Sequence, residues 1–314
     1  MSEIELRELR YFVAVAQELN FSRAAERLGM AQSPLSRAIA QLESHLGLRL
    51  LERTTRQVTL TAAGAALLDD APRILAAADA AVTRAKRVAH TEPRLVLALK
   101  PGGDGGLLRD ILAAYQSPDL PPVEATVVSW GGPAALVLSG SADVALLRSP
   151  LDHDGLEIEE LLTEPRVAVL AAGHRLASRS RLRRADLSGE PLPRWSGADA
   201  AMAAYWNGRD RQSLVTAWPD GTPPPPDTAG PLVSDLPQLL ETVALNQAVA
   251  FLPASTAARY PRADLVYRPV TDLSPSVVAV AWRQGSRSPA IAAFVRAAVE
   301  IAERTTEPFT AAAP

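Results

Sequence analysis

Residues 21–64 constrain the fold of this chain more than any other stretch, because their first part has the spacing of a short helix followed by a tight turn. Three apolar residues recur at helical spacing on one predicted face: Ala24, Ala25 and Leu28. Ser22 is the predicted N-cap of this helix. Gly29 ends it, and residues 30–32 form the turn. A second helix is therefore expected directly afterwards.

The second helix has the features of one that reads DNA. Ser33 is its predicted N-cap and Pro34 its first residue, where the fixed φ of proline is tolerated. Four apolar residues spaced four, three and four apart face the predicted core: Leu35, Ile39, Leu42 and Leu46. The exposed first turn keeps Gln and Arg side chains, which can contact base edges in the major groove. The predicted contacts are Gln32, Ser33, Pro34, Ser36 and Arg37.

A basic hairpin, or wing, is predicted over residues 49–61. Its second half alternates apolar and polar residues, as a half-buried strand does. Its tip presents two guanidinium groups and two hydroxyls to phosphates or the minor groove: Arg53, Thr54, Thr55 and Arg56. The alternative is a solvated hairpin without a DNA contact.

The charge balance of this region is only weakly basic. The whole chain has a net charge of −3, while residues 23–56 contain six arginines and three glutamates. Binding to DNA would then require dimerisation to collect enough phosphate contacts, and its affinity should fall with salt.

An alanine-rich segment after Gly64 predicts a long helix with a heptad seam. The seam residues alternate at spacings of four and three: Leu67, Ala71, Ile74, Ala78, Ala81, Ala85 and Val88. We expect this helix to pair with its copy in a dimer, with a kink at Pro72 near Ala71. The alternative is a solvent-facing spacer.

Residues 95–302 alternate apolar strands with helices, which predicts parallel α/β layers. The predicted strands are 95–99, 123–129, 143–148, 166–171, 248–252 and 277–282; the predicted helices are 107–115, 133–140, 236–245 and 289–302. Ser234 is the expected cap of the third helix. The Pro-rich residues 203–231 are expected to form an inserted loop, either a lid or a passive surface loop, and residues 306–314 a disordered tail.

Composition argues against several function classes. The chain has no Cys and only four scattered His, so no metal site or cofactor is expected. No apolar run approaches the roughly 20 residues that span a membrane, and the N-terminus lacks a signal-peptide pattern, so a cytoplasmic protein is expected. An enzyme would need a nucleophile motif or a paired-His motif, and neither is found. An exported solute-binding protein would leave residues 1–90 unexplained.

The run from Leu9 to Gly64 resembles the N-terminal module of LysR-type transcriptional regulators. The residues that carry this resemblance include Phe21, Ala24, Ala25, Gln32, Ser36, Leu42, Glu43, Leu46, Gly47, Arg53, Leu60, Thr61 and Gly64. The second half resembles the effector domain of the same family, with landmarks at residues 172–177, 185–195, 239–253 and 265–270. Asn246 stands where the family usually has a helix-ending Gly, and Asn also tolerates that conformation.

The resemblance implies an α/β multidomain protein: a winged helix-turn-helix at 1–62, a linker helix at 63–90 and an effector domain at 94–305. This domain would have two Rossmann-like lobes, as in periplasmic binding proteins, with residues 94–165 and 270–305 in the first and 166–269 in the second. The implied partners are operator DNA, a small-molecule effector and further copies of the chain, as a homodimer and a homotetramer. RNA polymerase is a candidate partner. A ligand-independent architectural DNA binder with a vestigial cleft is the alternative.

An effector would bind where ligands of open α/β sheets lie, beyond the carboxyl ends of the strands. Lys100 follows the first strand and opens a glycine-rich turn before a helix, a combination that favours an anion. A solvated lysine is the alternative. With the positions that line the cleft in the family, the predicted effector residues are Lys100, Pro101, Gly102, Ser129, Trp130, Arg148, Trp195, Ser234 and Phe251.

Overall fold

The computed structural model describes residues 4–53, 58–90, 93–128, 132–151 and 154–305, without the side chains of Arg53, Val88 and His90. The chain divides into two compact units, Met1–His90 and Thr91–Pro314. No helix of the described ranges is long and apolar enough to cross a membrane.

The first unit is a winged helix-turn-helix that continues into a long helix. Its elements are α1 (Leu6–Glu18), α2 (Phe21–Arg27), α3 (Gln32–Leu46), β1 (Leu51–Arg53), β2 (Val58–Leu60) and α4 (Ala62–His90). β1 and β2 pair antiparallel. The core lies between the helices, and Leu35, Ile39 and Leu42 are fully buried in it, as their spacing predicts.

Both helix caps predicted for this unit are wrong. Asn20 caps α2, because its side-chain Oδ1 accepts hydrogen bonds from the backbone N–H groups of Ser22 and Arg23 at 2.9 and 3.1 Å. Ser22 instead donates from its hydroxyl to Gln32 Oε1, at 3.1 Å. α3 begins two residues earlier than expected, with Ala31 at the N-cap, so Ser33 lies inside the helix.

The long helix α4 runs continuously through Pro72. The residues of the predicted heptad seam differ in burial along this helix. Leu67 packs against the core of the first unit and Ala71 is fully buried, so this end of the seam is covered by its own chain. Ile74 is 45% exposed and its apolar side chain therefore remains available to a second copy. Val88 falls outside the described side chains.

The second unit begins with a five-stranded sheet. Its elements are β3 (Leu95–Leu99), α5 (Leu108–Tyr115), β4 (Val123–Val127), α6 (Gly132–Leu138), β5 (Val144–Arg148), β6 (Leu156–Glu164), β12 (Ser276–Arg283) and α11 (Pro289–Arg304). The strand order is β4-β3-β5-β12-β6. β3 pairs parallel with β4 and β5, whereas β12 pairs antiparallel with β5 and β6. The end of the chain thus rejoins the first lobe.

The remaining elements form a second lobe: β7 (Arg166–Ala171), a 3-10 helix (Arg184–Leu187), β8 (Pro191–Trp195), α7 (Ala200–Trp206), α8 (Arg211–Ala217), β9 (Thr228–Val233), α9 (Leu236–Ala244), β10 (Ala250–Pro253), α10 (Ala254–Arg259) and β11 (Leu265–Pro269). β10, β7 and β11 form an antiparallel sheet. β8 and β9 form a separate parallel pair. The prediction of parallel layers is therefore wrong for the main sheet of this lobe. The neighbouring strands β7 and β10 are mostly apolar whichever way they run, so periodicity did not reveal their direction.

Residues 203–231 are not a simple inserted loop. They contain the end of α7, all of α8 and the start of β9, and the irregular parts are residues 207–210 and the Pro-rich residues 218–227. The buried Arg166 guanidinium donates to Tyr205 O and forms an ion pair with Asp210. The predicted cap of α9 is also wrong, because Asp235 accepts from Gln238 N at 2.8 Å in place of Ser234.

Candidate DNA interface and effector cavity

The first turn of α3 presents the predicted DNA contacts. Gln32, Ser33, Pro34 and Arg37 are exposed, while Ser36 is half-buried. The backbone of Arg53 ends β1, and its side chain and the tip residues Thr54, Thr55 and Arg56 lie outside the described residues. The α3 turn therefore offers donor and acceptor side chains for base contacts, in the geometry of a recognition helix.

The wing is held against the helices by two contacts that the sequence alone did not explain. Glu43 Oε1 accepts hydrogen bonds from the backbone N–H groups of Leu50 and Leu51, at 2.8 and 3.1 Å. Gly64 lies so close to the start of the wing that an added Cβ would be 2.0 Å from Leu50 O. The wing is thus fixed relative to α3 and α4.

The basic character of this unit is weaker than the arginine count indicates. Arg23 and Arg27 both pair with Glu18, at 2.9 and 3.5 Å. Glu18 lies just outside the range whose charges were counted above. Arg37 forms no ion pair among the described residues, so its charge is available to DNA.

A cavity of about 520 Å³ lies between the two lobes of the second unit. Its volume falls within the range of small-molecule sites. Residues from both lobes line it: Lys100, Pro101, Gly102, Val127, Val128, Arg148, Trp195, Trp206, Ser234, Asp235, Leu236, Pro237, Leu252, Pro253, Thr256 and Tyr260.

Six of the nine predicted effector residues line this cavity: Lys100, Pro101, Gly102, Arg148, Trp195 and Ser234. Phe251 does not, because its side chain packs into an apolar cluster on the other side of β10 from Leu252. It is buried in the core of the second lobe, and Leu252 and Pro253 line the cavity instead. Ser129 and Trp130 lie outside the described residues.

The glycine-rich turn after β3 does not offer a helix N-terminus to a ligand. The buried Asp104 carboxylate already occupies that position, because its Oδ2 accepts from Leu108 N at 3.4 Å. Asp104 is held by Arg259 of the second lobe through two hydrogen bonds, at 2.8 and 3.0 Å. This ion pair lowers the pKa of Asp104. The turn therefore contributes only its first residues to the cavity.

Lys100 is in an electrostatically unfavourable position. Burial, and secondarily the positive charge of Arg148, lower the pKa of Lys100 to about 7. Its Nζ lies 5.2 Å from the centroid of the Trp206 ring, within cation–π range. An anion in the cavity would stabilise the charged ammonium, so the cavity favours an anion at this end.

Arg148 is fixed by a buried polar network. Its Nη1 donates to Glu164 Oε1 at 2.6 Å and to Ser276 Oγ at 2.9 Å. Glu164 in turn accepts from the backbone N–H and hydroxyl of Ser255 in the second lobe. The Nε of Arg148 is buried and has no acceptor among the described residues. Arg148 therefore retains one hydrogen-bond donor although its charge is balanced by Glu164.

Sequence reasoning missed several cavity residues for identifiable reasons. Val127 and Val128 immediately precede the predicted Ser129, so the strand end was placed slightly too far along. Thr256 lies on α10 and Tyr260 directly follows it, so continuing past Pro253 would have found both. Trp206 was assigned to an insert, although Asp199 provides a clear helix cap before it.

Comparison with known proteins agrees with both units. Residues 6–65 match the model of the bacterial regulatory helix-turn-helix proteins of the lysR family, and residues 89–303 match the LysR substrate binding domain. The Hca operon transcriptional activator HcaR of Escherichia coli (strain K12) is 31% identical over 299 residues, which cover 93% of this chain and 96% of HcaR.

Two solved structures share the architecture. Full-length BenM has 26% identity and a TM-score of 0.54, with 96% of this chain and 97% of BenM covered. Full-length CbnR complexed with its target DNA has 27% identity and a TM-score of 0.50, with 95% of this chain and 100% of CbnR covered. The chain belongs to the LysR family of transcriptional regulators. It is a DNA-binding regulator with an effector-binding domain, not an enzyme.

Proposed function

We propose that this regulator is controlled by an anionic small molecule that binds between the two lobes with its charge at Lys100. The supporting observation is the position of Lys100 at an apolar cavity, where burial destabilises its own charge. Arg148 adds a buried donor at the same cavity. These features favour a sensor over the architectural alternative, for which no open cavity is needed.

Binding would affect DNA only through a change in how the lobes or the copies of the chain are arranged. An effector shifts such an equilibrium no further than its difference in affinity for the two states. The residues at the cavity come from both lobes, so an effector there would contact both. We propose a homotetramer, assembled through α4 and the effector domains, as the unit that responds, with RNA polymerase as a candidate partner at the promoter.

A thermal-shift experiment tests the anion site. The full chain is screened against mono-, di- and tricarboxylates, since a ligand that binds only the native state raises the melting temperature. We expect a stabilising carboxylate to lose its effect in Lys100→Met and to keep it in Lys86→Met, which removes the only other lysine. Equal stabilisation of both variants would place the anion elsewhere.

The DNA contacts are tested separately. We propose base contacts for Gln32 and Arg37, and backbone contacts for Arg53, Thr54, Thr55 and Arg56. Arg37→Ala should cost about 1–3 kcal/mol on the cognate operator and much less on scrambled DNA. An equal loss on both DNAs would show that Arg37 holds a phosphate.

A further inference from the structure

The side chain of Gln32, at the start of the DNA-reading helix, is held by a residue of the preceding helix. The hydroxyl of Ser22, in the first turn of α2, donates to Gln32 Oε1 at 3.1 Å, across ten positions of the chain. Both residues are exposed, so the contact lies on the surface of the unit and not in its core. One branch of the Gln32 amide therefore has a partner before any DNA is bound.

The Ser22 hydroxyl is available for this contact because another residue caps α2. Asn20 Oδ1 accepts hydrogen bonds from the backbone N–H groups of Ser22 and Arg23 at 2.9 and 3.1 Å. A serine near the start of a helix often uses its own hydroxyl for such local bonds to the backbone. Here Asn20 provides the cap, and the Ser22 hydroxyl reaches the next helix instead.

The distance between the two side chains is set by the apolar core beneath them. Ala24 and Ala25, on the inner face of α2, are buried in the same cluster as Leu35 of α3. The starts of the two helices are thus fixed relative to each other by close packing. Ser22 and Gln32 meet without the ordering of a loop, which lowers the entropic cost of presenting Gln32 to DNA.

The contact also distinguishes the two ends of the Gln32 amide. A glutamine side chain carries one oxygen acceptor and one nitrogen with two donors, and a flip of the amide exchanges them. With the Ser22 hydroxyl on Oε1, the oxygen lies on the side of α2 and Nε2 forms the other branch. The group left for a base edge is a donor. In the major groove guanine, adenine and thymine present acceptors, whereas cytosine presents only a donor.

The alternative role for Ser22 is a contact with a DNA phosphate, which serine hydroxyls also make. A hydroxyl has a single hydrogen, so Ser22 cannot donate to Gln32 and to a phosphate at the same time. The two roles have different consequences. A phosphate contact strengthens binding to every sequence, whereas a contact to Gln32 affects only the base pair that Gln32 reads.

Given the base contact proposed above for Gln32, we infer that Ser22 is a positioning residue for DNA recognition. Its hydroxyl orients the Gln32 amide so that the Nε2 donors face the base edge, and this excludes cytosine as the base that Gln32 contacts. Ser22 itself touches no base. The two side chains act as one unit, held together by the packing of α2 on α3.

Selection of binding sites from a library of randomised DNA duplexes tests this role with the full chain. Ser22→Ala and Gln32→Ala should relax the base preference at the same position of the selected site, while Ser22→Thr, which keeps a hydroxyl, should retain it. Ser44→Ala is the matched control, because it removes an exposed hydroxyl from the other end of α3. An unchanged preference in Ser22→Ala, or relaxation at a different position from Gln32→Ala, would overturn the inference.

A double-mutant cycle measures the coupling between the two side chains. On the selected duplex, Ser22→Ala should weaken binding about two- to tenfold relative to a scrambled duplex, the size expected for one hydrogen bond. In the Gln32→Ala background the same change should have no further effect, because the partner is already absent. The ratio of the affinities for the two duplexes is insensitive to a partial loss of folded protein. An equal loss on both duplexes would show a phosphate contact instead.

The orientation of the amide is tested by Gln32→Glu. A carboxylate can still accept from Ser22 but has no donor, so the original base should lose its preference and cytosine, whose N4 donates, should gain it. The added negative charge weakens binding to all DNA, so preferences between duplexes are compared and not absolute affinities. A retained preference for the original base would overturn the assignment of the Nε2 donors to the base edge.

The same measurements separate the role of Ser22 from the proposed base contact. If Gln32→Ala relaxes one position and Ser22→Ala relaxes none, the base contact stands and the role of Ser22 fails. If Gln32→Ala leaves every base preference unchanged, the proposed base contact itself fails.

Discussion

The two units of this protein place their charged side chains differently. In the DNA-binding unit, Arg23 and Arg27 pair with Glu18 on the surface. In the effector unit, the side chains of Arg148, Arg166 and Arg184 are buried, and each forms an ion pair with a carboxylate. Buried pairs carry a desolvation cost that apolar residues would avoid. The effector unit therefore uses ion pairs inside the folded chain, whereas the ion pairs of Arg23 and Arg27 in the DNA-binding unit lie at the surface, where solvent screens them.

The largest effect is expected from breaking the buried pair. Glu164→Gln keeps the shape of the side chain but leaves the Arg148 charge buried without a counterion, which should destabilise the effector unit by about 3–5 kcal/mol. Glu160→Gln, at an exposed position of the same strand, should change stability by less than about 0.5 kcal/mol. Urea unfolding of the two variants measures the contrast. Equal urea midpoints for the two variants would show that the buried ion pair does not affect the stability of the effector unit.

A steric change tests how closely the wing is fitted in the DNA-binding unit. Gly64→Ala places a Cβ against Leu50 O, so it should destabilise this unit by about 1–3 kcal/mol and weaken DNA binding. Gly173→Ala is the control in the effector unit, because its Cβ would meet nothing within 4 Å and its φ is ordinary. Removing the flexibility of glycine there should stabilise by about 0.4–1 kcal/mol. Effects of the same sign in both variants would contradict the close fit at Gly64.

The lowered pKa of Lys100 predicts a pH dependence in the effector unit alone. In the free protein Lys100 loses its proton near pH 7, so the affinity for a stabilising carboxylate from the thermal-shift screen should be constant below that pH and fall about tenfold per unit above it. The other charged groups nearby are Arg148, paired with Glu164, and Asp235. The unliganded unit should gain stability over the same interval, because the unfolded chain retains the proton that the folded chain has released.

Calorimetry from pH 6 to 9 measures this dependence. Lys100→Arg is the control, because a guanidinium stays charged and its affinity should remain level throughout. The affinity of the first unit for operator DNA should not show the pH dependence that Lys100 gives to ligand binding. A pH-independent affinity in the unmodified chain would show that the charge of Lys100 does not contribute to binding.

The smallest effect is expected at the surface of the DNA-binding unit. Glu18→Gln removes the partner of two arginines and should change stability by less than about 1 kcal/mol, while strengthening DNA binding at low salt. Glu26→Gln changes the net charge equally but is exposed and forms no ion pair among the described residues. The ratio of the DNA affinities of Glu18→Gln and Glu26→Gln isolates the contribution of Arg23 and Arg27 to DNA binding. A ratio of one would mean that Arg23 and Arg27 do not face DNA.

The sequence predicted much of the fold because its signals are local. The strands 95–99 and 166–171 are predicted with the bounds observed in the structure, since each is a short apolar run between breaks. The winged helix-turn-helix follows from apolar spacing and resemblance over one contiguous segment. Its caps were misplaced because Asn20 and Ser22 are both suitable capping residues, and only the backbone conformation selects between them.

By itself, the sequence determined the family, and it predicted the recognition helix and Lys100 as a candidate effector residue, because each depends on residues that are close together in the chain. The tertiary structure alone decided that Asp104 is held by Arg259, that Arg148 is neutralised by Glu164, and that Trp206 faces Lys100. These partners are separated by up to 155 residues. No local pattern specifies such pairs, because burial and electrostatic balance depend on what the folded chain brings together from distant segments.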